Sequence, residues 1–370
     1  MSLFNVGKKA YLMLANGRIF EGYSFGAEGT SIGETVFATS MTGYQETLSD
    51  PSYYGQIVTQ TFPLIGNYGV NDEDFESRGS CVSGYVVREW CSAPSNFRMQ
   101  GEIDAFLKKH SIIGIHSIDT RCLTRMIRET GVMNGVITTE NVYEKKDELL
   151  KQIQAFAIVN AVKAVTCAAS EKFSAENPRY DVVLYDFGYK HNIRRELLKR
   201  GCNVTVVPAL TPIEEVAAMK PDGIMLSNGP GDPAENVEVI ANLKKLFDMD
   251  IPTFGICLGH QLMALASGAK TEKLKYGHRG ANQPVVDLEQ DRTFVTSQNH
   301  GYAVVGDTLP KEVGHVSHKN ANDGTCEGVR YEKAPVFTVQ FHPEAHGGPL
   351  DTSYLFDEFT ALMARNKEEK

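Results

Sequence analysis

Between Asp181 and Gln261 short apolar runs and helical patterns take turns with unusual regularity. Residues 182–187, 204–207, 223–226 and 253–256 read as buried strands. Helical patterns lie between them at 192–200 (closed by Gly201), 212–219 and 235–247. Strands that alternate with helices build right-handed βαβ units, whose parallel sheet is covered on both faces. In such sheets ligands collect outside the carboxyl ends of the strands. The pattern predicts an α/β domain with a largely parallel sheet over 181–370. It also directs the search for chemistry to the loops that leave those strands.

The last of these strands runs straight into Gly255-Ile-Cys257-Leu-Gly259 and then a helical pattern. This is the strand–turn–helix setting of a nucleophile elbow, with cysteine in place of serine. The two glycines let strand, turn and helix crowd together. At the helix N-terminus, the dipole and free N–H groups favour a thiolate. Taken alone, the motif reads equally well as a buried packing cysteine. A second loop at a strand end, Ser227-Asn-Gly-Pro-Gly-Asp-Pro233, is either a rigid turn capped by Asp232 or a backbone cradle opened by Gly229 and Gly231. It has neither the Lys-Ser/Thr of a P-loop nor the spacing of a dinucleotide fingerprint.

A base is supplied by Phe341-His342-Pro343-Glu344, after an apolar run at 336–340. In extended backbone, residues two apart face the same way, so His342 and Glu344 can reach one site. A carboxylate beside an imidazole fixes its tautomer and steadies its cation. Cys257, His342 and Glu344 are therefore chemically sufficient as nucleophile, base and orienter. His260 is the main rival base, with His278, His300 and His346 weaker ones. The segment 354–364 reads as an amphipathic closing helix.

The first half reads as a mixed α+β domain. Two strands at 10–15 and 18–25 flank Asn16-Gly17, expected to form a type I′ hairpin turn. Further strands are expected at 34–39, 56–61 and 81–87, with helices at 103–109 and 123–129, the second capped by Asp119 or Thr120. The polar, aromatic-bearing loop from Met41 to Tyr53 reads as surface turn chemistry. Residues 146–180 read as a linker region, with Pro178 its clearest mark. The expected division is thus 1–145, 146–180 and 181–370.

A net charge of −9 argues against a nucleic-acid surface spread over the protein. Seven scattered cysteines form no metal-ligand spacing and suit a reducing, cytoplasmic setting. Neither a leader-length apolar segment at the start nor a membrane-spanning run is present in the sequence. No metal, membrane or nucleic acid is expected to bind.

With these motifs in hand, residues 181–370 resemble the class I, triad-type glutamine amidotransferases. The resemblance rests on Asn228-Gly-Pro-Gly-Asp232, Gly255-Ile-Cys-Leu-Gly-His-Gln261 and His342-Pro-Glu344. The first half, with Thr39-Ser-Met-Thr-Gly-Tyr-Gln-Glu46, Asp50-Pro-Ser-Tyr53 and Ile118-Asp-Thr-Arg121, resembles the N-terminal domain of carbamoyl-phosphate synthase small subunits, and Asn299-His-Gly-Tyr302 fits the same subunit. The resemblance implies hydrolysis of L-glutamine through a Cys257 thioester. It implies an oxyanion site at Leu258 and the Gly229 loop, and a glutamine pocket lined by Ser52, Gly229, Gly231, Leu258, Gln261, Asn299, Gly301 and Tyr302. It further implies a large synthetase subunit that receives ammonia and binds bicarbonate, ATP, Mg and K, in pyrimidine and arginine synthesis, with no cofactor on this chain. His191, near the first helix of the second half, departs from the pattern and has no assigned role.

Overall fold

The computed structural model describes residues 7–368, so the start read for a leader lies partly outside the described residues. Two compact units divide at Ile158 and Val159. The first contains strands β1 (Lys9–Leu14), β2 (Ile19–Gly26), β3 (Thr30–Ala38), β4 (Gln56–Gln60), β5 (Gly84–Val86), β6 (Ile113–His116) and β7 (Met133–Thr138). They close into a barrel in the order β1-β2-β6-β5-β4-β3-β7. The pairs β3–β4, β4–β5 and β5–β6 are parallel, and the others are antiparallel. Closure removes exposed sheet edges.

Alternation along β1 sends Ala10, Leu12 and Leu14 into one cluster and Tyr11 and Met13 into another. Of this unit's helices, α1 (Tyr44–Ser49) and α2 (Ile103–Lys109) contribute Leu48 and Phe106 to a third cluster. Helix α3 (Thr120–Thr130) adds Leu123 and Ile127 to the first. Asp119 caps α3 by accepting from the Cys122 N–H at 2.9 Å. Helix α4 (Lys146–Ala155) lies within the expected linker region and buries Leu149 and Ile153 with Tyr11 and Met13.

The Asn16-Gly17 turn differs from expectation. Gly17 has φ 82, but Asn16 is not among the positive-φ residues. The Gly17 N–H instead donates to Leu14 C=O at 2.8 Å. That pattern is a common turn over Leu14–Gly17 followed by a left-handed glycine, an alternative hairpin solution.

The second unit opens with α5 (Ala161–Val165) and β8 (Glu171–Phe173), also inside the expected linker region. Then come β9 (Tyr180–Asp186), α6 (His191–Lys199), β10 (Cys202–Pro208), α7 (Ile213–Ala218), β11 (Gly223–Leu226), α8 (Val237–Lys244), β12 (Thr253–Ile256) and α9 (Leu258–Ala266). The chain continues through β13 (Lys270–Asp287), β14 (Arg292–Val305), β15 (Gly314–Asn320), β16 (Cys326–Tyr331), β17 (Val336–Val339) and α10 (Tyr354–Glu368). One ten-stranded sheet runs β8-β10-β9-β11-β12-β17-β16-β14-β13-β15. Five adjacent strands, β10-β9-β11-β12-β17, are mutually parallel. This is the block announced by the alternation. Antiparallel strands extend the block on both sides, which makes the whole sheet mixed.

Apolar side chains cover both faces. One cluster joins Tyr185, Ile224 and Leu226 to Leu243, Leu258 and Leu262. The other joins Leu184, Met225 and Phe254 to Ile193, Phe356 and Phe359. No described helix is long and apolar enough to cross a membrane.

Candidate active site

The parallel block delivers its functional loops to one edge. Lys190 follows β9, Ser227 to Pro233 follow β11, Cys257 follows β12, and His342 follows β17. The last two strands are neighbours, with Ile256 opposite Val339.

Cys257 is buried at the N-cap of α9 with φ 53 and ψ −102. This is a conformation that side chains rarely adopt, held by the Cys257 N–H donating to Val339 C=O at 2.8 Å. The flanking glycines are required by space. A Cβ on Gly259 would lie 2.4 Å from the Leu226 carbonyl oxygen, and one on Gly255 would lie 2.8 Å from Thr338 Cγ2. The thiol of Cys257 points at the Asn299 carbonyl, with Sγ 3.7 Å from its oxygen.

His342 Nδ1 lies 2.7 Å from Glu344 Oε1, and both side chains are buried. The link between them is a turn, not the extended strand expected from the sequence. Ala345 N–H donates to His342 C=O at 3.2 Å, and Pro343 takes the position that turns favour for proline. Lys190 Nζ meets the same Glu344 oxygen at 2.7 Å. Burial pushes the Glu344 carboxyl up, but the charges of Lys190 and His342 outweigh it and hold the group at about 2. An ionised carboxylate only accepts, so His342 carries its proton on Nδ1 and leaves Nε2 for chemistry. That Nε2 is buried and has no hydrogen-bond partner among the described residues.

Lys190 was not anticipated from sequence. Its loop is tied to the Asn228 motif: Lys190 N–H donates to Asn228 Oδ1 at 3.0 Å, and Phe187 N–H to Ser227 Oγ at 3.0 Å. Asp186 accepts from the N–H groups of Gly188 and Tyr189, which shapes the same turn. The available signal was a lysine in the exit loop of a parallel strand, at the end where ligands gather.

The other predicted residues divide into two groups. Gly229 abuts the elbow, since a Cβ there would lie 2.7 Å from Leu258 Cδ2 and 2.2 Å from the Phe187 carbonyl oxygen. Gln261 Nε2 donates to the Tyr302 carbonyl at 2.7 Å. Asn299, Gly301 and Tyr302 lie together on β14. Gly231, at φ 89, packs against α5, where a Cβ would lie 2.8 Å from Ala161 Cβ. Asp232 caps the short turn after it by accepting from Ala234 N–H. Ser52 belongs to the first unit, where it is buried and donates its N–H to Asp50 Oδ1 at 2.9 Å.

The rival histidines are engaged elsewhere. His260 Nδ1 lies 2.8 Å from Thr338 Oγ1, and burial holds its imidazole down at about 3, hence neutral. His346 is 3.5 Å from Glu196, while His278 pairs with Asp323.

Comparison with known proteins gives this geometry a family. Residues 183–362 match the family described as glutamine amidotransferase class-I, and residues 12–137 match the carbamoyl-phosphate synthase small chain, CPSase domain. The carbamoyl phosphate synthase small chain of Fusobacterium nucleatum is 52% identical over 96% of this chain and 98% of that protein. The chain belongs to the carbamoyl-phosphate synthase small-chain family. Family proteins of the same printed name from Listeria monocytogenes (51% identical, 98% of both chains) and Syntrophotalea carbinolica (49% identical, 98% of this chain and all of that protein) extend the match.

Proposed function

We propose that this chain is the glutaminase subunit of a carbamoyl-phosphate synthase, with Cys257 as nucleophile, His342 as acid and base, and Glu344 as its orienter. The observation that carries the reading is the buried Lys190–Glu344–His342 series beside the Cys257 elbow, on adjacent strand ends. Cys257 gives its thiol proton to His342 Nε2, and its sulfur attacks the side-chain amide carbon of L-glutamine. Backbone N–H groups at Leu258 and the Gly229 loop meet the developing oxyanion, a donor set of the kind worth about 3 kcal/mol. His342 Nε2 protonates the departing nitrogen as the C–N bond breaks, releasing ammonia and leaving a γ-glutamyl thioester. Water then attacks the thioester and gives up a proton to His342. Glutamate leaves and the thiol is restored.

Gly229, Gly231, Leu258, Gln261, Asn299, Gly301 and Tyr302 form the glutamine pocket in this reading. The ammonia passes to a large synthetase subunit, which holds the ATP, Mg and K sites. Passage inside protein matters because ammonia in water at neutral pH is mostly ammonium, which is not a nucleophile.

The test is Cys257→Ser in the complex with the large subunit. Glutamine-dependent carbamoyl phosphate synthesis is lost, whereas ammonia-dependent synthesis continues. Unchanged glutamine use would overturn the assignment. Turnover of γ-glutamyl peptides without turnover of free glutamine would replace it with a γ-glutamyl hydrolase.

A further inference from the structure

From the strand that bears Asn299 and Tyr302 runs a row of polar groups, buried except for the exposed Asp323 at its outer end, with no part in the chemistry above. Asp323 Oδ2 is 2.9 Å from His278 Nε2, and His278 Nδ1 is 3.4 Å from Glu327 Oε1. Glu327 Oε2 lies 3.0 Å from one side-chain amide atom of Gln298, whose other amide atom lies 3.1 Å from His300 Nε2. His300 Nδ1 ends the row 2.7 Å from the Tyr302 carbonyl oxygen. Gln261 Nε2 donates to that same oxygen.

Proton counting limits how this row can be satisfied. A carbonyl only accepts, so His300 Nδ1 must carry a proton. If the Gln298 nitrogen faces Glu327, its oxygen faces His300 Nε2, which must then be protonated as well. His300 would be a buried cation, its ring 5.0 Å from that of His278. A half-turn of the Gln298 side-chain amide, which exchanges its oxygen and nitrogen in place, gives another solution. The Gln298 nitrogen then donates to His300 Nε2, and its oxygen accepts from Glu327 Oε2, which must be a protonated acid.

Both solutions hold the same number of protons, but the second buries one cation and one carboxylate fewer. Such charges are costly to desolvate. His278, Arg279 and His342 all oppose a positive charge on His300, and burial opposes it most. Burial likewise raises the Glu327 carboxyl. His278 donates from both nitrogens in either solution, and in the second the Asp323 carboxylate at 2.9 Å is the counter-charge of its cation, with Glu327 Oε1 accepting as a neutral oxygen. Asn320 Nδ2, 3.3 Å from Glu327 Oε1, donates to that oxygen in either case. Thr296 Oγ1, 3.2 Å from the Gln298 amide, can turn its proton from Gln283 C=O to the exchanged oxygen.

We propose that Glu327 is a neutral carboxylic acid donating to Gln298. In this arrangement the series Asp323–His278–Glu327–Gln298–His300 is a positioning device that fixes the Tyr302 carbonyl and the substrate face of β14. Every donor in it then meets an acceptor, and the directed chain ends on backbone shared with Gln261. His278, His300 and Glu327 also bring ligand atoms within 4.8 Å of one another, the spacing of a cation site. The directed chain instead commits those atoms to protons.

This rests on the glutamine-hydrolysing reading, and the experiment separates the two. In the assembled complex, Glu327→Gln holds the glutamine KM within about twofold, because a carboxamide donates and accepts at the same places. Glu327→Leu raises that KM by about tenfold and leaves ammonia-dependent synthesis unchanged. The infrared difference between wild type and Glu327→Gln at neutral pH contains a protonated-carboxyl stretch. The proposal is overturned if Glu327→Gln loses as much as Glu327→Leu, or if the difference spectrum contains a carboxylate band instead. A stoichiometric metal whose chelation reproduces the Glu327→Leu defect would also overturn it. If the wild type fails to hydrolyse glutamine, the functional reading falls, while the infrared band still decides the state of Glu327.

Discussion

Replacing Lys190 with methionine keeps the side chain's length and removes the ammonium that meets Glu344 at 2.7 Å. The Glu344 carboxyl stands at about 2 against an ordinary 4.5, although burial alone would raise it. At about 1.4 kcal/mol for each tenfold change in proton affinity, that difference amounts to about 3 kcal/mol of stability. Because the folded-state value is depressed, the contribution is fully present above 4.5 and is lost as pH falls from there towards 2. In Lys190→Met only His342 still opposes burial, and the carboxyl rises from about 2 towards its ordinary value. The variant is therefore less stable than the wild type near neutral pH by at most about 3 kcal/mol, His342 retaining its share of the shift. The gap narrows on acidification below about 4.5. Urea titrations between neutral and acid pH measure this directly. The acid limb of kcat/KM for glutamine also moves to higher pH, since Glu344 then takes a proton at higher pH and stops orienting His342 as an ionised carboxylate. Equal stability at neutral pH, a gap that does not change with pH, or an unmoved acid limb would each refute the reasoning.

Two further outcomes follow from the elbow. Cys257→Ala and Cys257→Gly both lose glutamine hydrolysis, but the glycine variant is the more stable by about 1 kcal/mol, because φ 53 penalises any Cβ; chemical denaturation of the pair measures the difference. Gly259→Ala drives a Cβ to within 2.4 Å of the Leu226 carbonyl and costs about 3 kcal/mol or more, whereas Gly17→Ala, in open space at φ 82, costs about 1 kcal/mol, as their melting temperatures would record.

Much of the second unit was legible because its signals are local. Strands buried on both faces read as continuous apolar runs, and Gly223–Leu226 and Thr253–Ile256 fall where the sequence places them. The strand–turn–helix setting of Cys257 and the nearness of His342 to Glu344 were legible for the same reason, being short motifs, although a turn and not an extended strand joins the latter pair. Lys190 was not, because its role depends on Glu344, far along the chain and brought close only by the order β9-β11-β12-β17. Strands β13 and β14 escaped notice because long stretches of β13, such as Lys270 to Tyr276, are mostly exposed and lack an apolar period. The barrel of the first unit was hidden in another way. Five of its seven strands were visible, but Ile113–His116 and Met133–Thr138 were not, and closure depends on the parallel pairings of β3 to β6, which connect residues distant in sequence. Asn16 misled because an Asn-Gly pair fits more than one hairpin turn.

The position of β17 has a consequence for the order of events during synthesis. It is the last strand made, yet it sits mid-sheet between β12 and β16. His342 and Glu344 follow it, and Val339 within it holds the Cys257 backbone, so a chain still emerging from the ribosome lacks both the held elbow and the base of the proposed reading. Inserting a central strand last also makes the final step a long-range pairing, the slow kind in folding. On the proposed assignment of Cys257 and His342, the nascent domain stays inert towards glutamine until its sheet is whole, and a truncation that removes the last strand leaves an unreactive thiol instead of an unregulated source of ammonia.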